Sequence, residues 1–156
     1  MRMMTICVFS DSHGLVAPMA AAIEREQPRL CFHLGDGERD AAALQQRFPH
    51  LPLYAVRGNC DLRSSLSPTL TCHMGGVAIF ATHGHLFQVK YEPHLDTLAQ
   101  AARDMGAGLA LFGHTHRPLW QQENGLALLN PGAAAGGRYA LLTIRDGAFT
   151  AELKSI

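Results

Sequence analysis

The amino-acid sequence predicts an α/β fold, a two-sheet α/β sandwich with mixed sheets flanked by helices. Apolar runs of strand length alternate with helix-like stretches through the first half of the chain, and short strands closed by tight turns fill the second half. The length, 156 residues with 47% apolar and 17% charged, suits a single domain over 1–156 that buries a sizeable core.

The elements follow in order. "MTICVF" (Met4 to Phe9) is a continuous apolar run of strand length that stops at "SDSHG". Val16 to Glu26 reads as a helix, with Pro18 tolerated in its first turn. "RLCFHL" (Arg29 to Leu34) is a second strand, closed by "GDG", and Glu38 to Phe48 a second helix. "LPLYAV" (Leu51 to Val56) is a third strand that ends at "RGNCD". This alternation predicts right-handed crossovers and a parallel sheet covered on both faces. "TLTCHM", Gly75-Gly76 and "VAIFATH" read as a two-residue hairpin. Pro93 to Met105 fits a helix with Gly106 at its end. "GLALF" is a strand running into "GHTH", and "PLWQQ", "LALLN", "YALLTI" and "FTAEL" are short strands with turns at Glu123-Asn124-Gly125 and Asp146-Gly147. The expected division is a parallel-rich first sheet and an antiparallel-rich second one.

Composition excludes several function classes. The formal net charge is +0 with His neutral, and no basic stripe or aromatic platform suggests a nucleic-acid partner. No apolar run approaches the ~20 residues of a membrane span. The N-terminus lacks the long apolar segment of a signal peptide. Cys7, Cys31, Cys60 and Cys72 show no C-x-x-C spacing, and a reducing compartment keeps such thiols free. The chain therefore reads as cytoplasmic.

The chemistry gathers at the strand ends. The first strand delivers Asp11 and His13, the second Asp36, the third Asn59 with Asp61 behind it. The strand before Thr82 delivers His83 and His85, and "LALF" delivers His114 and His116. Singly, each of these is an ordinary cap, turn former or loop histidine. Together they place Asp, His and Asn where α/β sheets carry their functional groups, outside the carboxyl ends of the strands. Carboxylate, imidazole and amide oxygen suit Mn, Fe or Zn in a catalytic site rather than a structural thiolate cage. Gly35, Gly58, Gly84 and Gly113 flank these residues and permit positive φ or close backbone approach. Asp11, His13, Asp36, Asn59, His83, His114 and His116 are too many ligands for one ion and suit two that share a carboxylate, the clamp used to hydrolyse phosphate esters.

"DSHG", "LGDG", "GNCD", "THGH" and "GHTH", in this order from Asp11 to His116, resemble the calcineurin-like metallophosphoesterase superfamily, and within it the small bacterial and archaeal phosphodiesterases. The resemblance implies one metal held by Asp11, His13, Asp36 and His116, and a second held by Asp36, Asn59, His83 and His114, with Asp36 bridging. It implies a small phosphoester substrate, attacked in line by a water or hydroxide between the two divalent ions. Manganese is the expected ion, with Fe, Zn, Ni and Mg as alternatives. Asn59 and His85 are the candidate catalytic residues, and Arg57 a candidate phosphate contact. Relatives that form dimers or higher assemblies leave a homo-oligomer open.

Other positions take plainer readings. His33 lies inside a strand and is expected to pack, while His50, His73 and His94 are expected at the surface. Asp61 is expected to support a ligand, Asn59 in particular. "NPGAAAGGRY" (Asn130 to Tyr139) resembles a family loop near the active-site side, with Ala where relatives often carry Ser. The sharpest departure is Cys60, which stands where most of the superfamily has a histidine credited with protonating the leaving group. A thiol is a poor acid substitute for an imidazolium near neutral pH. The resemblance therefore favours phosphodiesters or activated esters over alkyl monoesters. Two other readings stand beside it, a phosphomonoesterase and a non-catalytic metal-binding scaffold like the retromer subunit that shares this fold.

Overall fold

The computed structural model describes residues 3–156. Its first sheet has the order β10-β9-β1-β2-β3 and its second the order β4-β5-β6-β8-β7. The strands are β1 (Met3–Phe9), β2 (Leu30–His33), β3 (Leu53–Ala55), β4 (Thr69–Met74), β5 (Val77–Thr82), β6 (Leu109–Leu111), β7 (Leu119–Glu123), β8 (Leu126–Asn130), β9 (Arg138–Arg145) and β10 (Ala148–Ser155). The helices are α1 (Ala17–Glu26), α2 (Glu38–Arg47) and α3 (Asp96–Asp104).

The period-2 alternation of strand side chains builds the layers. Ile6 and Val8 of β1 face the space between the sheets, where they meet Ile79, Leu109, Leu111, Leu129 and Leu142. Cys7 and Phe9 face the other way, onto Met19, Ala22 and Ile23 of α1 and Leu44 of α2. The second sheet repeats the arrangement, with Phe80, Ala110 and Phe112 turned outward onto Leu98, Ala99 and Ala102 of α3. β1, β2 and β6 are thus buried on both faces, which is why they are continuous apolar runs in the sequence.

The two-sheet sandwich and the parallel β1-β2-β3 core match the expectation. The division of strand directions does not. β9 runs antiparallel beside β1, and β10 beside β9, so the last two strands join the first sheet. The second sheet has parallel β5-β6-β8 at its centre and antiparallel β4 and β7 at its edges. Each sheet is therefore evenly mixed, because the long pairing of β1 with β9 leaves no local trace. The hairpin turns are as expected. Gly75-Gly76, Asn124-Gly125 and Asp146-Gly147 all have positive φ at both central residues, the turn whose twist suits two-residue hairpins.

Most boundaries moved by one or two residues, and three starts have a local cause or differ at the first turn. β3 starts at Leu53, since Leu51 is still folded back on the preceding turn through its N–H to Phe48 O. α1 starts one residue later than expected, at Ala17. α3 starts at Asp96 rather than Pro93. Leu95 adopts a left-handed conformation (φ 56°) that breaks the helical run, and the Glu92 carboxylate caps the helix by accepting the N–H and hydroxyl of Thr97 at 2.8 and 2.7 Å. Among the described residues no helix is long and apolar enough to cross a membrane.

Candidate metal centre

β1, β2, β3, β5 and β6 end on one side of the sandwich, and the loops that follow them converge. Their local backbone is unusual. Asp11, His13, Asp36, His114 and His116 all sit in the left-handed region, with φ of 56°, 43°, 59°, 71° and 63°. Non-glycine residues rarely adopt it, and such strain persists only where the surroundings over-determine it. Each sharp turn swings a side chain back over the strand ends instead of letting it run on with the chain.

The seven candidate ligands meet there. Asp11 Oδ1 lies 3.2 Å from His116 Nε2 and 3.7 Å from His13 Nε2. Asp36 Oδ2 lies 3.3 Å from His83 Nε2 and 3.9 Å from His13 Nε2. His83 Nε2 is in turn 2.9 Å from Asn59 Oδ1 and 3.1 Å from His114 Nδ1. Two groups result whose donor atoms lie within 4.8 Å of one another: Asp11, His13 and His116, and Asp36, His83 and His114. Asp36 lies between them.

The donor set fits divalent cations on independent grounds. Asp11 is fully buried, and its Oδ1 has no hydrogen-bond partner. A buried carboxylate oxygen without a donor is costly unless a cation meets it. His83 Nδ1 donates to Leu34 O at 2.7 Å, which fixes the tautomer and frees Nε2 as a lone-pair donor toward the site. Burial opposes the charge of His83, but the Asp36 hydrogen bond and the charges of Asp11 and Asp36 raise its pKa above the ordinary value. Burial likewise opposes ionisation of Asp36, yet His83 and the Cys60 N–H hold its carboxyl well below the usual carboxylate range. His114 moves the other way, down to about 4, through burial and then the charges of His83 and Lys90. The cluster is thus negatively charged and draws a proton or a metal.

Asp61 supports a candidate ligand, as expected, but that ligand is Asp36 and not the Asn59 side chain. It accepts the N–H groups of Asp36, Gly37, Glu38 and Gly58 at 2.8, 3.0, 3.1 and 2.7 Å. It therefore fixes the Asp36 backbone and caps the first N–H groups of α2, and it does not hold the Asn59 side chain. Gly58 packs so closely that a Cβ there would lie 2.2 Å from Asp36 Oδ1. The Cys60 N–H donates to that same oxygen at 2.8 Å, and Asn59 Nδ2 lies 3.6 Å from Cys60 Sγ. Burial and then the Asp36 charge raise the Cys60 pKa, so the thiol stays protonated. It joins neither candidate metal group and no disulfide.

His85 stands at the margin, its ring centroid 5.5 Å from that of His83 and 6.2 Å from that of His114. Its Nδ1 is buried without a partner. Burial and the charges of His83 and Arg57 lower its pKa, so the ring is neutral at neutral pH and Arg57 lies within electrostatic reach.

Further residues support the site, and of these Ser10 and Asp40 gave no sequence signal. Ser10 Oγ donates to Asp11 Oδ2 at 2.5 Å. His33 is packed as expected, but it also belongs to a buried chain. Gly35 N–H donates to His33 Nδ1, leaving Nε2–H to donate to Ser12 Oγ at 2.9 Å. The Ser12 hydroxyl then donates to Asp40 Oδ2 at 2.6 Å, which also accepts Gly14 N–H. The chain clamps the Asp11–His13 turn from both sides. The "NPGAAAGG" loop holds it from above, with Ala134 and Ala135 donating to Ser10 O and Asp11 O. Asn130 braces the opposite turn through Gly113 O and Thr115 Oγ1. His50, His73 and His94 are exposed, as expected.

Comparison with known proteins agrees with this geometry. Residues 4–147 match the calcineurin-like phosphoesterase superfamily domain. The chain is 33% identical to a probable metallophosphoesterase, YsnB of Bacillus subtilis, over 94% of this chain and 88% of that one. A structure from Streptococcus pneumoniae, described as a predicted phosphoesterase, superposes with a TM-score of 0.83 at 29% identity, covering 99% of this chain and 91% of that one. The fold alone is shared with Vps29 of Entamoeba histolytica (TM-score 0.77, 21% identity, 98% and 99% covered). The same holds for an archaeal phosphodiesterase (TM-score 0.72, 19% identity, 97% and 100% covered). With these motifs on one edge of this sandwich, the chain belongs to the calcineurin-like phosphoesterase superfamily.

Proposed function

We propose that the protein is a dinuclear-metal phosphodiesterase. The observation that carries the reading is the position of Asp36 Oδ2 between two donor groups, 3.3 Å from His83 Nε2 and 3.9 Å from His13 Nε2. Asp11, His13 and His116 would hold one cation and Asn59, His83 and His114 the other, with Asp36 within reach of both groups. Two divalent cations, manganese first among them, neutralise phosphoryl charge and make water a competent nucleophile near neutral pH. Hydrolysis would form a P–O bond from water in line with the bond that breaks, the water giving up a proton to solvent and the leaving oxygen taking one from it.

The chain's own groups set the preference. His85 and Arg57 face the margin of the site and can donate to phosphoryl oxygens. Cys60 offers only a thiol, a weaker acid than an imidazolium, where most of the superfamily has a histidine. Leaving groups that depart without protonation are favoured, which points to activated esters, aryl phosphodiesters among them. The fold likeness to an archaeal phosphodiesterase agrees with this. The four free thiols suit a reducing compartment, so we place the protein in the cytoplasm, working as one domain on a small phosphoester.

Bis(p-nitrophenyl) phosphate tested against an alkyl phosphomonoester should show the higher kcat/KM for the diester. The reverse order would make the protein a phosphomonoesterase. Asp36→Asn and Asn59→Ala should each lose at least about 100-fold in kcat/KM. Full activity in either variant would remove the site assignment.

The fold likeness to Vps29 favours a second reading, a metal-binding scaffold without catalysis. Filled donor positions at all seven sites argue for the enzyme.

A further inference from the structure

A cleft of about 570 Å³ opens beside the candidate metal centre. Thr115, which separates His114 from His116, lies in its wall, so the cleft and the centre share a border. Its apolar lining includes Val89, Phe112 and Leu119, and the rim carries Tyr91, 80% exposed. Two cations, Lys90 and Arg117, also line it. Both are exposed, and neither side chain forms an ion pair with a carboxylate among the described residues. The one acid in the lining, Glu92, is committed elsewhere, since both its oxygens accept from Thr97 at the start of α3. The volume lies in the range of small-molecule sites, and the mix of apolar walls with a few placed charges is what such sites carry.

Building on the phosphodiesterase reading, we propose that this cleft receives one arm of the substrate, and that the arm carries a flat apolar ring and a second phosphate, as a nucleoside phosphate does. Lys90 and Arg117 meet the second phosphate, which an uncommitted pair of cations beside an anionic scissile group selects. Tyr91 and Leu119 give the ring its surface. The residues act on substrate choice and take no part in the bond changes. They determine which diester is held with its phosphorus over Asp36 and His83.

The test compares two probes that release the same p-nitrophenol from the same bond, using the manganese-loaded protein. One is thymidine 5′-(p-nitrophenyl phosphate), and the other is the same ester bearing a 3′-phosphate. The 3′-phosphate should raise kcat/KM about tenfold or more, the scale of one or two charge-assisted hydrogen bonds. In Lys90→Ala and Arg117→Ala the ratio between the two probes should fall towards one. That ratio does not depend on how much of the protein is active. Bis(p-nitrophenyl) phosphate separates the two claims. No hydrolysis of it would defeat the phosphodiesterase reading itself. Hydrolysis of it, with no gain from the 3′-phosphate or a gain that survives both substitutions, would overturn the cleft assignment alone.

Discussion

At the scale of single residues, the site rests on carboxylates whose partners are mostly backbone. Asp61 binds four N–H groups, and removing it leaves them without an acceptor in a partly buried turn. Asp61→Ala should destabilise the metal-free protein by at least about 3 kcal/mol in urea unfolding. It should also weaken manganese binding by about 10–100-fold in calorimetry, as loss of a ligand's support does. Cys60 gives a second test. Cys60→His places an imidazole beside Asp61 and should raise kcat/KM on an alkyl monoester by about tenfold or more, within the range of general acid catalysis. No gain would show that Cys60 does not set leaving-group preference. His33 gives the pH dependence. Burial lowers its pKa to about 4, while the same histidine in the unfolded chain titrates near 6.5. The unfolded state therefore binds more protons between these values. The His33 contribution to stability is fully present above about pH 6.5 and is lost, by about 3 kcal/mol, as pH falls from there to about 4. The His33 ring resonance should accordingly keep its neutral position down to about pH 5, and titration near 6.5 would contradict this.

At the scale of elements, the loops after β2 and β3 lie against each other so closely that only glycine fits at Gly58, where a Cβ would stand 2.2 Å from Asp36 Oδ1 and 2.6 Å from Asp36 N. Gly58→Ala should cost about 1–3 kcal/mol of stability and displace Asp36, with a fall in metal affinity. Unchanged affinity would mean that the loop gives way freely. The candidate ligands were legible in the sequence because each sits just past a strand end, a local signal. The Ser12–His33–Asp40 chain was not, because it joins three separate elements and Asp40 looks like any acid in a helix's first turn. The α3 start was hidden for a related reason, since Glu92 caps the helix from outside it across a left-handed Leu95.

At the scale of the whole molecule, the sandwich brings the ends of β1, β2 and β3 from one sheet against those of β5 and β6 from the other. Neither sheet carries a complete centre. Asp36 and Asn59 come from the first, His83 and His114 from the second, and the shared core of Ile6, Val8, Ile79 and Leu111 fixes the distance between them. The strand directions of the second half could not be read beforehand, because β9 returns to β1 across most of the chain. Joined in this way, the two sheets would form a working hydrolytic two-metal centre. Its most direct test is the rate of p-nitrophenol release from bis(p-nitrophenyl) phosphate, with bound manganese counted by mass spectrometry in the same sample. Two ions per chain are expected, with a rate that a chelator abolishes and manganese restores. Two bound ions with no hydrolysis would contradict this and make the protein a metal-holding scaffold.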